Sequence, residues 1–81
     1  MGTTSAFETA TAAQLKAEIT AANKSIRSVA AALDQDYTTF YRWVTGKRPI
    51  KLITVYAILD YIGLDIGTFF TRVQERADSE R

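Results

Sequence analysis

Arg42 stands among side chains that donate hydrogen bonds. Tyr37, Thr38, Tyr41, Arg42 and Thr45 share one side of a short helical run, Tyr37 to Thr45. Phe40, Trp43 and Val44, spaced i, i+3, i+4, share the other. The polar side has two phenols, hydroxyls and a guanidinium, and no acid. Such groups bond base edges and phosphate oxygens. Gly46-Lys47-Arg48-Pro49 follows at once and adds two cations in a turn. Catalytic chemistry finds much less here. The 81 residues include no histidine and no cysteine. That removes the commonest general base, the thiolate nucleophile and the commonest metal ligands. The acids are scattered, and a small helical bundle has little room for a cleft. No catalytic residue, metal or cofactor is expected.

Charge is unevenly spread on a chain whose net charge is only +1. Between Lys24 and Lys51 there are six basic residues and two acids, which gives +4; elsewhere four basic residues and seven acids give −3. A positive middle third on a near-neutral protein is the expected footprint for a polyanion. No apolar run approaches the ~20 residues of a membrane span. The amino-terminal residues lack the basic-then-apolar order of a secretory signal. A cytoplasmic protein with no membrane or small-molecule partner is expected.

Five short helices account for the elements that position these groups. Residues 1–10 read as a flexible arm, 11–77 as one domain and 78–81 as a frayed tail. The first helix is expected over 12–22, with Thr11 and Gln14 as a capping box and Leu15, Ile19 and Ala22 on one face. Ser25 is a good N-cap for a second helix reaching Leu33, with Ile26, Val29, Ala30 and Leu33 inward. Asp34-Gln35 makes the turn, because aspartate tolerates left-handed backbone angles. Asp36 caps the third helix, whose Phe40 and Trp43 belong in the core. Gly46 stops it and Pro49 stiffens the connection. The fourth helix is expected over 52–62, with Leu52, Val55, Ile58, Leu59 and Ile62 inward and a Gly63-Leu64 stop. Asp65 caps the fifth, over 66–76. Phe69 enters the core. Phe70 and Val73 either form an apolar dimer surface or, for Phe70, pack on the arm or Phe7 and leave a monomer.

The order of these pieces resembles the Cro/CI-type helix-turn-helix domain, the XRE family of phage repressors and small bacterial regulators. The resemblance covers about residues 12–74. It rests on the run from Ser25 to Leu33, on Phe40-Tyr41-Arg42-Trp43, on Gly46-Lys47-Arg48-Pro49, and on Ile62-Gly63-Leu64-Asp65 followed by Phe69. It implies an all-α fold, a compact bundle of five short helices containing a helix-turn-helix, of the lambda-repressor-like DNA-binding kind. It also implies that the third helix enters the major groove with Tyr37, Thr38, Tyr41 and Arg42 as base contacts. Ser25, Arg27, Lys47 and Arg48, with Thr39 and Lys51, would grip phosphates. The sequence departs from the family in three places. Asp34 replaces the usual turn glycine. Ile26 and Arg27 stand where a glutamine often supports the recognition helix. A buried arginine–glutamate pair of many members is matched by Ile19 and Val44, a joint apolar replacement that predicts contact between the two.

The leading expectation is a Cro-like repressor that covers double-stranded DNA, working as a dimer on two half-sites. Arg42 is the first candidate for a guanine. Tyr37 and Tyr41 either touch DNA or cap the rim of the core. The competing expectation is a protein-interaction module, an antitoxin or anti-repressor, that uses the same fold to hold a protein partner.

Overall fold

In a computed structural model, whose described residues are 6–79, five helices follow one another. They are α1 (Ala6–Ala21), α2 (Ile26–Ala32), α3 (Tyr37–Val44), α4 (Leu52–Ile62) and α5 (Ile66–Ser79). No strand occurs among the described residues. The chain is all-α. Its radius of gyration is 12.0 Å, which matches the roughly 12 Å of a fully folded chain of this length.

Helices α2, α3 and α5 begin, and α2, α3 and α4 end, where the local chemistry demands. Ser25 has extended backbone angles and accepts from the Ser28 amide, while Ser28 Oγ accepts from the Ser25 amide, a reciprocal box at the start of α2. Asp34, with φ of 57°, takes the left-handed turn after α2, and the Gln35 amide reaches back to the Ala30 carbonyl at 2.8 Å. Asp36 Oδ2 accepts from the Thr39 amide at 3.0 Å and starts α3. Gly46 (φ 78°) ends α3, and the Lys47 and Arg48 amides both turn back onto the Arg42 carbonyl. Gly63, also at φ 78°, ends α4, and the Leu64 amide bonds the Leu59 carbonyl. Asp65 caps α5 through the Thr68 amide at 2.9 Å.

α1 departs from expectation. It begins at Ala6, so residues 6–10 are helical rather than a loose arm; residues 1–5 lie outside the described residues. Alanine is the best helix former, and Ala10 and Ala12 are buried. Thr11 is inside the helix, its hydroxyl donating to the Phe7 carbonyl at 2.8 Å. It is therefore not an N-cap. At the other end α5 runs on to Ser79, and Gln74 donates to Asp78 at 2.9 Å. Asp78 and Ser79 thus belong to a helix rather than a frayed tail, while 80–81 fall outside the described residues.

The core is one cluster: Leu15 and Ile19 of α1, Val29 and Ala30 of α2, Phe40 and Val44 of α3, Val55, Ile58 and Leu59 of α4, Phe69 and Val73 of α5. Ile19 and Val44 are both buried in it. Trp43 is only half-buried, edge-on to Phe40 with centroids 6.1 Å apart. Leu52 was expected inside but is 63% exposed, because the inward face of α4 is already filled by Val55, Ile58 and Leu59. α1 and α5 pack along one another and share a polar seam. Glu18 accepts from Gln14 Nε2 and from Arg72, both at 2.7 Å, and Arg76 Nε donates to Gln14 Oε1 at 3.0 Å.

Candidate nucleic-acid interface

The Asp36 cap determines which side chains of α3 face outward. By holding the Thr39 amide it fixes the first turn, and burial of Phe40 and Val44 then sets the rotation of the helix. Thr38, Tyr41 and Arg42 are left exposed together on the opposite side. Tyr41 keeps 40% of its surface exposed. None of the three is paired with an acid among the described residues, and Arg42 keeps its guanidinium donors for an incoming acceptor.

Tyr37 has a different surrounding. Its ring is half-buried, lies 4.1 Å from the Arg27 guanidinium carbon, and tilts against Tyr41 with centroids 5.9 Å apart. A guanidinium over an aromatic face is held by the ring quadrupole and by stacking. This contact joins the start of α2 to the start of α3, and it keeps the Arg27 charge at the edge of the outward face of α3. The ring of Tyr37 is therefore a support for Arg27, and only its hydroxyl edge remains for other partners.

The two remaining polar candidates on the helix starts are occupied locally. Ser25 Oγ accepts from the Ser28 amide at 3.0 Å. Thr39 donates through its hydroxyl to Asp36 Oδ2 at 3.3 Å as well as through its amide. A phosphate needs donors, and both donors of Thr39 point at the cap carboxylate. Thr39 thus serves the cap of α3 in this structure.

Beyond α3 the chain exposes Lys47, Arg48 and Lys51 in the connection to α4. Gly46 permits this, because the tight turn needs a positive φ before Lys47. Arg27 is in α2, Arg42 in the last turn of α3, and Lys47, Arg48 and Lys51 in the segment that follows, all exposed.

The expected apolar dimer patch on α5 does not exist. Val73 is completely buried. Phe70 is half-buried, stacked on Phe7 with centroids 6.0 Å apart and planes 11° off parallel, and edge-on to Phe69 at 5.0 Å. The early start of α1 brings Phe7 there. Of the two placements expected for the Phe70 ring, packing on Phe7 is the one found.

Two features went unread in the sequence. Lys24 sits 5.1 Å over the Tyr61 ring, so one cation of the basic third serves the α1–α2 corner rather than the α3 face. The Gln14–Glu18 pair had a visible signal, polar residues at i, i+4 beside Leu15 and Ile19 in the apolar stripe. The spacing alone did not name Arg72 and Arg76 as partners. The chain matches no family model, no curated protein and no solved structure.

Proposed function

We propose that this protein is a sequence-specific double-stranded DNA-binding regulator, a Cro-type repressor of phage kind that lays α3 in the major groove. The observation that carries the reading is the outward edge of α3. Thr38, Tyr41 and Arg42 are exposed on one side, with Arg27 held beside them and Lys47 and Arg48 just beyond. In this reading Arg42 reads a guanine through O6 and N7. Thr38 and Tyr41 meet a thymine methyl or a base edge. Arg27, Lys47, Arg48 and Lys51 grip phosphates and supply most of the affinity. Tyr37 sets the position of Arg27. The helix-turn-helix assignment of α2 and α3 is supported by the short connection through Asp34, the capped start at Asp36 and the family resemblance of the sequence. Such a regulator works where the DNA is, in the cytoplasm, by occupying operator DNA rather than by catalysis, and it calls for no cofactor or small-molecule ligand.

The test is binding, at several salt concentrations, to a random duplex and to DNA from upstream of the protein's own gene. Wild type is expected to prefer the upstream DNA. Arg42→Ala is expected to lose that preference while still binding the random duplex. Absence of binding to either duplex at low salt removes the regulator reading. A second reading, an antitoxin or anti-repressor that holds a protein partner, is favoured by one observation. Leu52, Ile53 and Tyr56 of α4 are exposed although large and apolar. Solubility that depends on a co-expressed partner, without DNA binding, is its signature.

A further inference from the structure

The turn after α3 leans on α1. Gly46 lies so close to α1 that an added Cβ would stand 3.7 Å from Ala12 Cβ. Ala12 is buried there. Glu8 is four residues earlier in the same helix, and residues i and i+4 share a helix face. Glu8 therefore stands on the side of α1 that meets the turn. Glu8 and Ala12 close one side of a cavity of about 60 Å³, and Trp43 with the segment from Gly46 to Ile50 closes the other. The gap has the volume of about two water molecules. Lys47 and Arg48 line it, and Glu8 is the one acid among its described lining residues.

This placement has an electrostatic consequence. The Lys47 and Arg48 amides are both bonded to the Arg42 carbonyl, so the backbone of the turn is fixed. Their side chains are long and exposed. Each can swing between a carboxylate across a narrow gap and an acceptor that arrives from solvent.

We propose, resting on the DNA-binding reading, that Glu8 competes with phosphate for Lys47 and Arg48. The first turn of α1 then sets how tightly the turn after α3 grips DNA. In the free protein the carboxylate draws the two cations toward α1. A duplex offers phosphate oxygens in its place, and the cations leave Glu8 to take them. The same carboxylate repels an arriving phosphate. Both effects weaken all duplexes alike, because phosphates carry no sequence information. Glu8 also lies in the first turn of α1, where a negative charge suits the helix dipole. A role confined to that dipole would alter unfolding and leave DNA binding unchanged.

The experiment measures binding of the full chain to labelled random and upstream duplexes by fluorescence anisotropy, from about 50 to 200 mM salt. Circular dichroism verifies helix content. Glu8→Gln removes the charge and keeps a good helix former. It is expected to bind both duplexes about two- to threefold more tightly at low salt, with the gain shrinking as salt rises and the preference between them unchanged. Glu75→Gln removes the same charge from an exposed position on α5 that does not line the cavity, and should leave affinity at the wild-type value. When Lys47→Ala and Arg48→Ala are both present, Glu8→Gln should bring no gain. If wild type binds the random duplex and Glu8→Gln binds no more tightly, the competition is overturned and the DNA-binding reading stands. A gain matched by Glu75→Gln, or one that survives loss of both cations, overturns it as well. Absence of wild-type binding at low salt removes the DNA-binding reading and the competition with it.

Discussion

At Tyr37 and Arg27 two side chains of similar apparent purpose divide the work. Both lie at helix starts and both look suited to DNA in the sequence, but the guanidinium covers the phenol's ring. If the ring is a platform, Tyr37→Phe keeps it and should bind DNA within about twofold of wild type. Tyr37→Ala frees Arg27 and should weaken binding to random and upstream DNA alike, by roughly two- to fivefold, the scale of an exposed cation–ring contact. Equal losses in the two variants would instead mean that the hydroxyl is what DNA meets. Glu18 makes a separate argument about stability. Its carboxylate is buried and bonded to Gln14 and Arg72, but Arg72 is about half exposed. Glu18→Ala leaves Arg72 free to turn to water, so the expected cost is modest, about 1–2 kcal/mol by urea unfolding, with little change in DNA binding.

Helices α2 to α5 begin at residues whose side chains accept a backbone amide, or end at residues that tolerate left-handed angles, and both properties are local. That is why the starts at Ser25, Asp36 and Asp65 and the stops at Asp34, Gly46 and Gly63 were legible without a structure. Asp36→Ala removes the carboxylate that holds the Thr39 amide. It should cost about 1 kcal/mol in unfolding. Gly46→Ala has room for its methyl group, since the nearest atom to an added Cβ is Ala12 Cβ at 3.7 Å, but its φ of 78° is unfavourable. It should cost about 1–2 kcal/mol through backbone strain alone, read as a lowered urea midpoint. The start of α1 was not legible for a definite reason. Thr11 and Gln14 imitate a capping box, yet both are buried inside a helix. Gln14 is there because α5, far along the chain, brings Arg76 to it. The same long-range packing removed Val73 from any surface, and Phe7, carried by the early turns of α1, covered Phe70.

For the molecule as a whole the uneven charge has a measurable consequence. If Arg27, Lys47, Arg48 and Lys51 each neutralise a phosphate, log K for random DNA should fall with log salt at a slope of about −3 to −4 per protomer. Arg48→Ala should flatten that slope by about one without altering preference between sequences. No single helix among the described residues is long and apolar enough to cross a membrane. Helix number, the caps of α2, α3 and α5, turn positions and most of the inward stripes of α3 and α4 follow from periodicity and backbone preference, which act over a few residues and so can be read along the chain. The basic middle third and the acid-free side of α3 could be read in the same way. Pairing across the fold could not. The seating of Arg27 on Tyr37, the use of Lys24 at Tyr61, the Glu18 seam between α1 and α5, and the outward turn of Leu52 all depend on how the helices are rotated and packed together. Close packing of side chains from distant segments sets that rotation, and hydrophobic spacing within one helix allows more than one answer.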